Sequence, residues 1–158
     1  MHRMRAAAAV LAAAGLVTAT QLGLAGTASA ATPATTSTGC PVSLVYPARF
    51  YVDSHGWVTN GGLYFGIKNK STTKSFTKVT LTVTDVANIR FGTATPKNGR
   101  VTHKTSMTVS VYTGTLKPSS SLGVKVQTHL LNTHSYKVKF ALHGTGWTCA
   151  VNQGTWGV

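Results

Sequence analysis

The chain has 158 residues and a formal net charge of +13 at pH 7, with 15 lysines and arginines against two acidic residues. This length suits one domain with its own hydrophobic core. Glycoside hydrolysis normally needs two carboxyl groups, and Asp53 and Asp85 are the only ones on side chains. Because both acids fall at predicted turns and the histidines show no metal-ligand spacing, we predict a protein that is not an enzyme and has no cofactor or metal.

The first thirty residues have the features of a secretory signal peptide. Met1–Arg5 carries two arginines, an apolar run follows over Ala6–Ala19, and Ala28–Ala30 has the small residues of a cleavage site. We expect cleavage after Ala30 and a secreted, extracellular protein, free or associated with the cell wall. No later segment is apolar enough to span a bilayer, so we expect no transmembrane segment in the mature chain.

Residues 31–39 (ATPATTSTG) are small, polar and proline-containing, which is typical of a disordered leader. Residues 40–158 are predicted to form one domain with Cys40 and Cys149 near its ends. In an oxidising compartment such a pair is most simply a disulfide. The alternative is a lipid-modified Cys40, but Ser37–Gly39 lacks the aliphatic residue that such a signal requires.

The hydrophobic pattern of residues 40–158 has a period of two residues, which is typical of β-strands. Strands are predicted, in chain order, at Val42–Tyr46, Leu63–Lys68, Val79–Val83, Ile89–Phe91, Val101–Val111, Leu122–Val126, Val138–Leu142 and around Cys149. Clusters of Gly, Asn, Pro and Ser mark turns between them, including Pro96–Gly99. This pattern predicts an all-β, immunoglobulin-like antiparallel β-sandwich closed by one terminal disulfide, with a small closed barrel as the alternative.

The alternation also predicts which side chains point outward. With Val109 and Val111 inward, Tyr112 faces outward. Several lysines share the outward phase of strands that we expect to be neighbours, namely Lys125, Lys137 and Lys139, with Lys68 and Lys70 adding to them. Outward lysines commonly protect sheet faces and edges from aggregation; a basic contact face is the alternative.

Five fragments from Trp57 onward are similar to the family two bacterial carbohydrate-binding modules, small β-sandwiches that bind cellulose, chitin or xylan. The fragments are WVTNGGLYFGIKN (57–69), VTLTVTD (79–85), RFGTATPKNG (90–99), VYTGTLKPSSSLGVKV (111–126) and FALHGTGWTC (140–149). They follow the family's order, and the two cysteines lie at the module's ends. The resemblance implies three outward aromatics that stack on sugar rings, and these fall on Trp57, Phe91 and Tyr112.

Rigid aromatic rings suit this task because they bury the C–H face of a sugar with little loss of side-chain entropy. We therefore expect a non-catalytic carbohydrate-binding protein whose partner is an insoluble polysaccharide such as cellulose or chitin. The strong basic charge leaves an alternative open, a cationic extracellular protein that binds acidic envelope polymers or a protein partner, with an antimicrobial or inhibitory role. No recognition helix is predicted, so specific nucleic-acid binding is not expected.

Overall fold

The structure is a computed structural model that describes residues 39–46, 49–132, 135–150 and 154–157. The predicted signal peptide and residues 31–38 of the predicted leader lie outside the described residues. The described chain contains ten β-strands and no helix. It accordingly has no helix that could cross a membrane.

The strand bounds follow the alternating segments of the sequence. The strands are β1 (Val42–Val45), β2 (Leu63–Asn69), β3 (Phe76–Ala87), β4 (Ile89–Lys97), β5 (Arg100–Lys104), β6 (Thr108–Leu116), β7 (Ser121–Leu130), β8 (Ser135–Gly144), β9 (Trp147–Ala150) and β10 (Gly154–Gly157).

The strands form two antiparallel sheets. The first has four strands in the order β1-β2-β7-β4, and the second has the order β10-β8-β3-β6-β5, with β9 pairing with β8. Apolar side chains from both sheets form one buried core, so the fold is the predicted all-β sandwich. The immunoglobulin-like arrangement within this class stays a prediction.

The period of two residues decides what enters the core. On β8, Val138, Phe140 and Leu142 are buried, whereas Lys137 and Lys139 between them are exposed. Burying one such apolar side chain stabilises the fold by roughly 1.5–3 kcal/mol. Strands with alternating side chains, stacked in two layers, can therefore bury their apolar residues between the layers while the charged residues stay in water.

The predicted disulfide between Cys40 and Cys149 is present, and both cysteines are buried. Cys40 precedes β1 in the four-stranded sheet, and Cys149 lies on β9 in the second sheet. The bond therefore links the two layers across a sequence separation of 109 residues.

Three sequence expectations were wrong in detail. Val101–Val111 is not one strand, because the Thr105 hydroxyl accepts hydrogen bonds from the backbone N–H groups of Met107 and Thr108 and closes a turn between β5 and β6. β4 extends well beyond the predicted Ile89–Phe91 and takes in the first two residues of the predicted turn, which leaves residues 98–99 as the turn.

The third error concerns the outward lysines. Lys125 lies on β7 in the four-stranded sheet, whereas Lys137 and Lys139 lie on β8 in the other sheet. The connection from β7 to β8 crosses between the layers. These three lysines therefore belong to different outer faces and do not form one basic surface.

Candidate functional site

Trp57 lies outside β2, in a short hairpin formed by residues 51–59. Val52 pairs with Val58 in this hairpin, and Trp57 pairs with His129 at the end of β7. The flanking Gly56 and Val58 are buried, while Trp57 is 38% exposed. Its indole ring stacks on the His129 imidazole with ring centroids 4.7 Å apart and planes inclined by 28°. Trp57 therefore points outward, as predicted, on the outer face of the four-stranded sheet.

The turn at residues 53–56 holds Trp57 in this position. The Asp53 carboxylate oxygen Oδ1 accepts hydrogen bonds from the backbone N–H groups of Trp57 and His55, each 2.9 Å long. These bonds, led by the one from Trp57, lower the pKa of Asp53. At Gly56, φ is +84° and a Cβ atom would come within 2.6 Å of the Leu130 carbonyl oxygen, so the turn requires glycine.

Phe91 does not point outward, so the predicted sugar-stacking role of this ring is wrong. The side chain is only 4% exposed and packs edge-on against Phe65, with centroids 6.0 Å apart. Ile89, two residues earlier on β4, is also buried, whereas Arg90 between them is partly exposed. Residues two apart on a strand share a face, so Phe91 follows Ile89 into the core.

Tyr112 points outward, as predicted, but on the other sheet. It lies on β6 opposite Arg100 of β5, and the Arg100 guanidinium carbon is 5.3 Å from the centre of the tyrosine ring. The outer faces of the two layers of a sandwich point away from each other. The structure therefore does not bring Trp57, Phe91 and Tyr112 together in one strip.

Tyr64, which the sequence interpretation missed, shares the outer face of the four-stranded sheet with Trp57. It lies on β2 between the buried residues Leu63 and Phe65 and is itself half-buried. Burial raises the pKa of its phenol. The alternation of residues 63–65 would have predicted an outward ring, although not the position that this ring takes.

The Tyr64 ring lies over a pair of glycines. Gly66 and Gly123 are directly opposite each other on β2 and β7. A Cβ atom on Gly66 would be 2.7–2.9 Å from the Oη, Cε1 and Cζ atoms of Tyr64, and one on Gly123 would be 2.5 Å from Cζ. Two missing side chains thus leave the space in which the ring leans down onto the sheet.

Polar side chains of β7 lie between Tyr64 and Trp57. Lys125, Gln127 and His129 are the outward residues there, and Gln127 lies over Gly92, where a Cβ atom would be 2.9 Å from Oε1. His129 lies six positions after Gly123, which corresponds to roughly 20 Å along a strand. We call the surface formed by Trp57, Tyr64, Lys125, Gln127 and His129 the aromatic face.

The two acidic residues are held by structural contacts. The Asp85 side chain is buried and forms an ion pair with Arg90, while Asp53 caps the turn before Trp57. Within the described residues, no three His, Cys, Asp or Glu side chains group as a metal site would require.

Comparisons with known proteins assign no family. No protein-family model matches the chain, and no curated protein matches it as a relative.

Proposed function

We propose that this protein is a non-catalytic polysaccharide-binding protein that uses the aromatic face of its four-stranded sheet. The observation that carries the proposal is the position of the Tyr64 ring, held over Gly66 and Gly123 on the same outer face as Trp57. This site replaces the three-ring strip that the family resemblance implies.

Both rings are positioned before any ligand arrives. Gly66 and Gly123 make room for Tyr64 on the sheet, and His129 stacks against one face of Trp57. An aromatic that is already held in place loses little entropy on binding, and its uncovered surface can bury the C–H groups of a sugar ring. Preorganised rings of this kind support binding to a polymer whose own surface is flat and stiff.

The polar residues between the rings supply the hydrogen bonds that sugar hydroxyls need. The Gln127 amide can both donate and accept, and the exposed Lys125 ammonium can donate. Ligand sites commonly combine an apolar contact surface with a small number of placed polar groups. A linear polysaccharide lying along β7 would meet Tyr64, then Lys125 and Gln127, and then Trp57.

The partner we propose is an insoluble polysaccharide such as cellulose or chitin, as the resemblance to the family two modules implies. We also propose that the protein acts outside the cell. The signal-peptide features of residues 1–30 support this, and so does the Cys40–Cys149 disulfide, because such bonds persist in oxidising compartments.

A pull-down on insoluble cellulose and chitin tests the proposal. The wild-type protein should be retained, and Trp57→Ala or Tyr64→Ala should each reduce retention by about 5-fold or more, since a buried stacking ring contributes on the order of 1–2 kcal/mol. Tyr112→Ala is the matched control, because it removes a half-buried outward aromatic from the opposite sheet.

Salt distinguishes stacking from charge attraction. Retention through the aromatic face should survive a 1 M salt wash, because the Debye length there is only about 3 Å and exposed charges are screened. Retention that is equal for all three variants, or that is lost in the salt wash, would contradict the proposal.

A further inference from the structure

Seven of the thirteen lysines and arginines in the described chain lie at one end of the sandwich. Three connections meet there, the β2–β3 loop (70–75), the β4–β5 turn (98–99) and the β6–β7 turn (117–120). Seven exposed basic residues lie in these connections or on the strand ends that lead into them: Lys68, Lys70, Lys74, Lys78, Lys97, Arg100 and Lys117. We call this surface the cationic end.

Both acidic residues lie at the opposite end. Asp53 lies in the turn at residues 53–56. The Gly56 carbonyl oxygen of this turn accepts a hydrogen bond from the backbone N–H of Leu130, which is the last residue of β7. The Asp85 backbone N–H donates to Met107 in the β5–β6 turn, near the end of β3. The cationic end therefore has seven positive charges and no acid.

Hydrogen bonds tie the three connections together. The buried Asn69 amide Nδ2 donates to the carbonyl oxygens of Lys74 (2.8 Å) and Lys117 (3.0 Å), which joins the β2–β3 loop to the β6–β7 turn. Asn98 Nδ2 donates to the Ser121 carbonyl at 2.9 Å and brings the β4–β5 turn to the same group. The connections that carry the charges of the cationic end are thus joined to one another by hydrogen bonds.

Little within the protein neutralises these charges. In the described part of the chain the one ion pair joins Arg90 to Asp85, and neither belongs to the cationic end. Lys70 Nζ donates to the Cys40 carbonyl oxygen at 3.0 Å, which satisfies a donor but leaves the charge. Positive charges of this density repel one another, and they concentrate anions from solution.

A surface pocket adjoins the cationic end. It has a volume of about 270 Å³ and is lined by Gly99, Arg100, Tyr112, Thr113 and Gly114. This is below the range of about 300–1,000 Å³ that is usual for drug-sized ligands, so the pocket suits a single sugar unit. The Arg100 guanidinium lies over one face of the Tyr112 ring, so the cation and the part of the ring that it leaves uncovered border the same pocket.

This pair of groups matches the two chemical features of an acidic sugar. A guanidinium donates two parallel hydrogen bonds to a carboxylate, and a tyrosine ring packs against the C–H face of the sugar. Arg100 forms no ion pair within the described residues. Gly114, on the pocket wall, has open space where a Cβ atom would be.

We infer that the cationic end binds an acidic polysaccharide, with one carboxylate-bearing sugar in the Arg100–Tyr112 pocket and neighbouring acid groups on the surrounding lysines. The Arg100–Tyr112 pocket lies on the outer face of the other sheet from the aromatic face and does not depend on it. A single-sugar pocket beside a cluster of lysines favours an acidic polysaccharide over a nucleic acid, for which the described chain presents no groove-reading helix.

Calorimetric titration of the whole protein with polygalacturonate at 0.15 M salt tests the inference. Arg100→Gln should weaken binding by about 10-fold or more, because a charge-assisted hydrogen bond is lost. The matched control is Lys139→Gln, which removes the same charge from an exposed β8 position; it should weaken binding by less than about 2-fold. Tyr112→Phe should bind like the wild type, and Tyr112→Ala should bind less tightly.

Three outcomes would overturn the inference: equal weakening by Arg100→Gln and Lys139→Gln, equal affinity for a neutral polysaccharide such as dextran, or equal affinity for inorganic polyphosphate. Circular dichroism of each variant shows whether it is folded. A protein with both Trp57→Ala and Tyr64→Ala should keep its affinity for polygalacturonate, so the aromatic-face proposal and this one can fail separately.

Discussion

Replacing Gly66 by alanine should destabilise the protein, although alanine is normally the better residue in a strand. The Tyr64 ring occupies the space above Gly66, and an added Cβ atom would lie 2.7–2.9 Å from three of its atoms. The ring would have to rotate away from the sheet and lose its half-buried contact. Overpacking of this kind costs about 1–3 kcal/mol, and the partial exposure of Tyr64 places the expected loss at about 1–2 kcal/mol.

The same substitution should have the opposite effect once the ring is removed. In a Tyr64→Ala background, Gly66→Ala meets no obstacle from the ring and should raise the free energy of unfolding by about 0.5–1 kcal/mol, because glycine in a strand loses more backbone entropy on folding than alanine. The two substitutions are then coupled by roughly 1.5–3 kcal/mol, which is within the range for residues in direct contact.

Urea unfolding of the wild type, the two single variants and the double variant measures this coupling. Gly114→Ala is the control, because a Cβ atom there meets nothing within 4 Å; it should raise the free energy of unfolding by about 0.5–1 kcal/mol, as an unobstructed change from glycine to alanine in a strand does. If Gly66→Ala has the same effect with and without Tyr64, the ring does not lie over the glycine pair, and the main argument for the aromatic face fails.

Three further predictions concern the parts that hold these sites in place. Hydrogen bonds hold the pKa of Asp53 below its ordinary 3.8, so their contribution to stability is complete above pH 3.8 and is lost as the pH falls through the folded-state pKa. The NMR signal of the Trp57 indole should shift in that lower pH range. Asp53→Asn, which keeps an acceptor oxygen but does not titrate, should remove this pH-dependent shift. Cys40→Ser combined with Cys149→Ser should lower the free energy of unfolding by about 4–5 kcal/mol on the chain-entropy account, and a loss below about 2 kcal/mol in urea unfolding would contradict it. Asn69→Ala removes the donor to three carbonyl oxygens and should lower the free energy of unfolding by about 2–3 kcal/mol. Amide hydrogen exchange should become faster in residues 70–75 and 117–120. Unchanged exchange would show that the two connections do not depend on the Asn69 side chain.

Much of the local structure was predictable because the alternation of inward and outward side chains along a strand depends only on neighbouring residues. The inward Val109 and Val111, and the outward Tyr112, follow from a period of two. For Phe91 the same rule was informative, since Ile89 and Phe91 share one phase and both are buried. The family resemblance placed this ring outside, and the packing of β4 against the core shows that the alternation was the better guide.

The position of Tyr64 could not be obtained in the same way. The outward direction of the ring is a local property of β2. The space that it occupies depends on Gly123, which is far along the chain and lies opposite Gly66 only when β2 and β7 pair in this register. A shift of one residue would turn every side chain of β7 to the other face. The aromatic face is thus a product of long-range pairing.

By itself, the sequence determined an all-β chain with a period of two residues, a large excess of positive charge and two cysteines suitably placed to close it, because these properties depend on composition and on neighbouring residues. Only the tertiary structure decided which sheet each strand joins. Consecutive strands such as β6 and β7 enter different layers, and this separates Tyr112 on β6 from Trp57, which pairs with β7. The same pairing brings lysines from loops far apart in the chain together at one end. The physical reason is that strand pairing is settled by core contacts and hydrogen bonds between residues far apart in the chain.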